Sequence, residues 1–421
     1  MRSAVRLPLG RLTMLFGIVF IALAATVPIA LGRDSASSAV TNYLAYVHGH
    51  AGKANPRKSK IYIGWINQQG GQVVIGALAT AGAQLAVKYV NNELGGVGGH
   101  PVVLDTCFIK NAEEEGTTCG QKFANDKRVS VIGAGAVATG IQSFYATIHG
   151  AKPVVAGVAT TPVDGTQKNA AILFGDTAKI LLAFGTYARD VLHAKSAAII
   201  YPNIPGISFS ASVIAQGMKA AGVSVKSVGY PQGQADLTAP LTAAGATTPS
   251  VVIPNGTALD CVNQVNSLKQ LGITDPGKIF TAPLCLNEGV VTAIGDFPKW
   301  TFAIASSLFG DTTDRGMPAY TKVVTKYGAI KQAPDPWFMV AFSQILTTVR
   351  FLNEVGPGKI TPAAVLKRMK AFRGPLALGA PKLQCGKYKD TPGVCNDRIQ
   401  VFEYQGGFKW KKMSGWIGPP S

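Results

Sequence analysis

The sequence predicts an α/β protein of two similar lobes, each a parallel sheet covered by helices on both faces. Three observations carry this. The stretch from Lys60 to Leu104 reads as strand, glycine-rich loop, amphipathic helix, glycine turn and second strand, a βαβ unit. Apolar runs of strand length then alternate steadily with helical periods, the pattern of a parallel sheet buried on both faces. A second βαβ series starts near Ala197, and nine strands in all exceed one sheet.

In chain order, the candidate strands are 61–66, 102–105, 130–133, 153–156, 197–201, 224–228, 251–254, 278–281 and 302–306. In the first, Ile61, Ile63 and Trp65 alternate with less buried positions. Leu78, Ala81, Leu85, Val90 and Leu94 then repeat at helical spacing, until Gly95, Gly96, Gly98 and Gly99 break the helix. Further helices are predicted over 178–192, 208–221, 258–271, 317–327, 337–354 and 361–371. The tail ends in a hairpin, IQVFEY and FKWKKM about a Gly406-Gly407 turn. Residues 33–59, rich in Ser, Ala, Gly and Lys, read as a linker with a short helix around 43–47.

Residues 1–32 carry Arg2, Arg6 and Arg11 before an uncharged run, which predicts a signal peptide or an N-terminal membrane anchor and export of all that follows. The six cysteines fit an oxidising compartment. Fifteen pairings are open to them, and proximity favours Cys107–Cys119, Cys261–Cys285 and Cys385–Cys395. Lys and Arg outnumber Asp and Glu by 40 to 22, a net +18. These cations are scattered, with no aromatic interleaving, so they read as a solvated surface beside an anionic cell exterior and not as a nucleic-acid interface.

No chemistry-bearing motif emerges. The run Gly206-Ile207-Ser208-Phe209-Ser210 fails the nucleophile elbow at its last position, and neither HExxH nor CxxC occurs, so no catalytic residue, metal or cofactor is expected. GAGAVA at 133–138 has the spacing of a dinucleotide loop, but no acid follows at ribose distance. Its physics suits another ligand: glycines admit close approach, and free amides near Thr139 and Gly140 would take an anion. Thr160 and Thr161 follow the next strand, and with Thr139 and the loop Asn67-Gln68-Gln69 they would line one rim.

IYIGWINQQGG, AVKYVNNELGGVGGHPVVLDTC, VSVIGAGAVATG, PVVAGVATTP, SAAIIYPNIPG and ADLTAPLTAAGATTPSVVIPNG together resemble the branched-chain amino-acid type of ABC-transporter substrate-binding proteins, the type I periplasmic binding proteins, over roughly residues 60–404. The resemblance implies two Rossmann-like lobes joined by three crossovers around a ligand cleft. Lobe one would hold 60–175 and 310–372, and lobe two 178–307 and 376–421. It implies ligand contacts at Gln68, Gln69, Thr139, Thr160 and Thr161 in lobe one, and at Asn203, Thr257 and Leu284 in lobe two.

The acid that neutralises an amino-acid ligand's ammonium falls near Leu284 in this chain. Burying an ammonium without a counter-charge costs several kcal/mol, so a zwitterionic amino acid is disfavoured, and a neutral, amide-like, aromatic or carboxylate compound fits better. The expectation is a monomeric, non-enzymatic receptor outside the cytoplasmic membrane. It would be secreted or held to the membrane surface by its N-terminal segment, and would pass a small molecule to an ABC permease. A membrane-anchored sensor of the same fold is the alternative.

Overall fold

The structure, a computed structural model, describes residues 39–71, 75–159, 161–248 and 251–421. The targeting segment 1–32 lies outside the described residues. Among those described, no helix is long and apolar enough to cross a membrane.

After a short helix α1 (Tyr43–Tyr46), the chain runs β1 (Ile61–Gln68), α2 (Ile75–Glu93), β2 (Val102–Ile109), α3 (Glu113–Asn125), β3 (Val129–Ala134), α4 (Ile141–Ile148), β4 (Val154–Ala159), α5 (Pro162–Thr166) and β5 (Ala170–Asp176). The five strands form a parallel sheet in the order β2-β1-β3-β4-β5. Alternate side chains feed two separate cores, as a sheet buried on both faces requires. Ile63, Trp65, Val131, Val155 and Leu173 enter one, and Ile66, Ile132, Val154, Ala156 and Ile172 the other.

The second series is α6 (Thr177–Ile180), α7 (Ala183–Asp190), β6 (Ser196–Pro202), α8 (Pro205–Ala220), β7 (Ser224–Tyr230), α9 (Thr238–Ala243), β8 (Val251–Pro254), α10 (Ala258–Gln270), β9 (Phe280–Thr281), α11 (Glu288–Ile294) and β10 (Thr301–Ile304). There follow α12 (Met317–Lys326), α13 (Pro336–Val355), α14 (Pro362–Ala371) and the hairpin β11 (Ile399–Gly406) and β12 (Lys409–Ile417). The parallel order β7-β6-β8 continues through a bridge between Val252 and Ile279 into β9-β10-β11-β12, where the hairpin is antiparallel. Ala197, Ile199, Val251 and Ile253 bury to one side, and Ala198, Ile200 and Val252 to the other.

Four differences from the sequence reading have physical causes. Strand β5 was not predicted: its fully buried run lacks the alternation that marks a half-buried strand. The helix expected over 178–192 is two pieces, α6 and α7. The linker expected over 33–59 is packed over residues 40–47 and largely exposed beyond them. Val40, Tyr43, Tyr46 and Val47 join the core formed by α2 and α13, with Tyr46 Oη 2.8 Å from Thr347 Oγ1. The short helix expected around 43–47 is present as α1; its place in the core depends on residues far along the chain and could not be read locally.

Finally, the loop closed by Cys385–Cys395, expected with the second sheet, lies along the first. Ile172 N–H donates to Gly393 O at 2.8 Å and Cys395 N–H to Ile172 O at 3.1 Å. Lys370 of α14 donates to Ala170 O and Pro392 O, and burial lowers its pKa to about 8. The other two bridges join Cys107 to Cys119 and Cys261 to Cys285, the pairings proximity favoured.

The passages between the two series are bonded to one another. Asn396 Nδ2 donates to Phe174 O at 2.9 Å, Ser307 N–H to Leu378 O at 2.7 Å, and Gln400 Nε2 to Ser306 O at 3.1 Å. Asp176 caps α6, its Oδ1 accepting from Ala178 N–H at 2.6 Å, while its buried Oδ2 has no hydrogen-bond partner among the described residues. Burial lifts Asp176 to about 6, and does the same to Asp164.

Two predictions follow from this packing. Tyr43→Ala should destabilise the chain by about 3–5 kcal/mol in denaturant unfolding; a loss under about 1 kcal/mol would return the segment to linker status. Because the folded pKa values of Asp164 and Asp176 stand above the ordinary carboxyl value, the folded chain binds more protons than the unfolded one, and stability is lost as pH rises through about 6. The melting temperature should therefore be higher at about pH 5 than at about pH 7.5. Asp176→Asn, which keeps the cap but not the charge, should raise the pH 7.5 value by about 2 °C and flatten the profile.

Candidate functional site

The carboxyl ends of the parallel strands define two rims, the places where open α/β sheets present ligand-binding loops. The first rim is organised by Asn67, fully buried at the end of β1. Its Oδ1 accepts from Ala136 N–H at 3.0 Å, and its Nδ2 donates to Thr80 Oγ1 at 2.7 Å, to Gln69 Oε1 at 3.0 Å and to Gly76 O. One amide thus joins β1, α2 and the loop after β3. Glycines are needed around it: a side chain at Gly76 would strike the Gln68 carbonyl, and one at Gly135 would strike Asn67 Oδ1.

Gln68 is also buried, and its Oε1 accepts from Ala138 N–H at 3.0 Å and Thr139 N–H at 3.1 Å. Gln69 Oε1 accepts from Thr80 Oγ1 at 2.5 Å. Glu113 closes the helix end, accepting from Gly140 N–H at 2.7 Å and Ser143 N–H at 3.0 Å. The hydrogen bond from the Ser143 hydroxyl holds Glu113 below its ordinary pKa. This corrects the sequence reading. The amides at Thr139 and Gly140, expected to be free for an anion, already serve two side chains of the chain itself. The Thr139 hydroxyl is half-buried and remains a candidate contact.

Thr160 lies outside the described residues. Thr161 begins α5, where its N–H and Oγ1 donate to Asp164 Oδ2 at 3.1 and 2.8 Å. The same device recurs in the second rim, where Thr257 N–H and Oγ1 donate to Asp260 Oδ2 at 2.8 and 2.5 Å. Both threonines are helix caps. Asn203 is exposed, and its N–H donates to Tyr230 O at 2.8 Å.

Leu284 is 39% exposed in the turn after β9. One turn into α10 stands Leu259, 62% exposed, which the sequence reading did not single out. Leu259 precedes Cys261 by two residues and Leu284 precedes Cys285 by one, so the disulfide ties both turns together. A leucine in the first turn after a capping threonine was the signal available.

Two further groups were missed. Gln344, within the apolar stretch of α13, donates to Ala134 O at 2.9 Å and Val155 O at 2.7 Å, bracing the ends of β3 and β4. Asp335 caps α13 by accepting from Trp337 N–H at 2.8 Å and Phe338 N–H at 3.0 Å. Burial raises its pKa to about 6, and the charge of Glu288, at the start of α11, adds to the rise. The starts of α13 and α11 are therefore close enough for their charges to act on each other.

Comparison with known proteins agrees with this architecture. The sequence profile of the periplasmic binding protein family matches residues 60–389. A search of curated sequences finds no match. Among solved structures, a leucine-binding protein of Thermotoga maritima is 18% identical, with 86% of this chain and 99% of that chain covered and a TM-score of 0.65. The branched-chain amino acid binding protein of Streptococcus pneumoniae, in complex with isoleucine, is 18% identical over 84% of this chain and 100% of its own, with a TM-score of 0.65. A solute-binding protein of R. palustris in complex with benzoate is 14% identical over 86% and 98%, with a TM-score of 0.67. At these identities the likeness shows the fold alone.

Asn67→Ala should destabilise the chain by about 3 kcal/mol in denaturant unfolding, because it leaves the Ala136 amide and the Gly76 carbonyl without their partner. A loss below about 1 kcal/mol would show that the rim is held by other bonds.

Proposed function

The chain belongs to the periplasmic binding protein family, a family of solute-binding proteins and not enzymes, and from that premise we propose that it works outside the cytoplasmic membrane, capturing a small molecule between its two rims and delivering it to an ABC permease. The family match across most of the chain carries this reading. The rims support it: they hold hydrogen-bonding groups and apolar side chains, with no cluster of metal-ligating residues among those described. Ligand affinity greater for the closed arrangement than for the open one would drive closure and give the permease a surface to recognise.

The ligand proposed is an apolar or aromatic body with one small polar head. Leu259 and Leu284 offer the body an apolar wall, and the hydroxyls of Thr139 and Thr160 are the contacts proposed for the head. A full anion finds few free donors, because Gln68 and Glu113 occupy the amides at the start of α4. An ammonium finds no carboxylate at position 284. Solved relatives have been seen with isoleucine, benzoate and 4-hydroxybenzoate; the apolar wall favours an aromatic or aliphatic body, and the filled amides favour an uncharged head such as an amide over a carboxylate. Glu288 is the specific observation on the other side, since it is exposed and one turn beyond Leu284.

A thermal-shift screen separates these. Aromatic and aliphatic amides should include a compound that raises the melting point, by about 2.7 kcal/mol of stabilisation at a hundredfold excess over its dissociation constant, and the matching carboxylates should raise it less. Leu284→Asp and Thr160→Val should each weaken that compound at least about tenfold, or about 1.4 kcal/mol, with the unliganded melting point unchanged. Shifts with leucine-like amino acids, abolished by Glu288→Gln, would instead assign an ammonium site to Glu288. No shift with any compound would sink the solute-receptor reading for these ligand classes.

A further inference from the structure

The hairpin β11–β12 ends in a feature that ligand capture does not use. Its turn is Gly406-Gly407-Phe408, all three at positive φ (92°, 58° and 58°). Glycine adopts this region freely, but a phenylalanine there is strained. Phe408 is also 45% exposed, so its ring recovers little by burial. Residues held in sparsely populated backbone regions and exposed at once point to a task.

The tip is rigidly built. Phe408 N–H donates to Tyr404 Oη at 3.2 Å, the Phe408 carbonyl packs against Gly310, and one edge of the ring meets Phe297 at 5.8 Å and 90°. The ring is thus presented outward by a fixed backbone. Cations surround it. Lys409 is exposed, Lys299 runs beside Gly406, and the Lys411 side chain is 64% exposed with Glu403 at 3.9 Å. Neither Lys299 nor Lys409 forms an ion pair with a described residue. The nearby acids are already engaged: Asp296 accepts from Tyr404 Oη at 2.5 Å and Phe297 N–H at 2.8 Å, and Glu403 accepts from Gln405 Nε2 at 2.5 Å.

Lysines on an edge strand guard it against pairing with other strands, which accounts for Lys409 and Lys411 but not for an exposed aromatic beside them. An aromatic ring flanked by unpaired lysines matches a surface that is apolar just beneath an anionic layer. We propose that the Phe408 tip is a contact for anionic lipid bilayers, with the ring entering the headgroup boundary and Lys299, Lys409 and Lys411 meeting the lipid charges. The chain's net charge of +18 adds long-range attraction to the same surface. This contact would orient the receptor on the membrane independently of any N-terminal anchor.

The test is flotation with vesicles of phosphatidylcholine alone or mixed with phosphatidylglycerol. It uses residues 38–421, which form one compact unit with its own cores, so the apolar N-terminal run cannot contribute. The protein should float with the anionic vesicles only, and high salt should release it. Phe408→Ser and Lys409→Glu should each reduce flotation at least fivefold, with unchanged melting temperature showing that the fold is intact. Phe408→Trp should float as the parent does and show blue-shifted emission on anionic vesicles. The proposal is overturned by absence of flotation, by equal flotation with neutral vesicles, by variants that float like the parent, or by capture of a membrane protein without lipid binding.

Discussion

The buried side-chain amide of Asn67 is the joint on which the first rim depends. It stands at the end of β1, an interior strand of a parallel sheet, where the chain must leave the ladder and its polar groups need new partners. With one acceptor and two donors, Asn67 supplies these to the loop after β3, the first turn of α2 and Gln69. Its neighbours follow from it. Gly76 and Gly135 are glycines because other side chains would collide there, and Gln68 is free to fasten the amides that begin α4. A rim so fully bonded to itself is rigid, which suits a receptor that must discriminate ligands without reshaping its first half.

That internal saturation also constrains the chemistry. The same glycine loop and helix start would form an anion site if the amides were open. Here the chain's own carbonyl and carboxylate fill them, so charge on a ligand has little to meet in this rim. In the second rim, Asp260 takes the donors of Thr257 and leaves leucines outermost. The two rims thus reach an apolar character by the same route: local acids and amides satisfy the backbone, and hydroxyl and aliphatic groups remain for recognition.

Buried carboxylates mark the joints of the molecule. Asp176 stands where β5 passes into the second series, Asp164 in the helix before β5, and the half-buried Asp335 at the start of α13. Each holds a helix start, and the buried charge it retains at neutral pH is a standing cost. The passages themselves are tied by one bond between backbones, Ser307 to Leu378, and by bonds from the side-chain amides of Asn396 and Gln400.

The sequence by itself determined the fold class and the order of most elements, and it favoured the disulfide pairs. These rest on local periodicity, turn glycines and short separations, all of which the linear pattern records. It also marked the rims, because ligand loops in parallel sheets follow strand ends by rule. It misread β5 and the segment that carries Tyr43 and Tyr46, because a uniformly buried strand has no alternation and a one-turn helix gains its meaning only from α13 packed on it. Only the tertiary structure decided which polar groups are free. Thr139 and Gly140 look like an anion site until Gln68 and Glu113 arrive from distant segments, and Leu259, which the linear pattern does not single out, proves exposed two residues from a disulfide that ties its turn to that of Leu284. Hydrogen-bond availability is a property of three-dimensional neighbours, and no spacing along the chain encodes it.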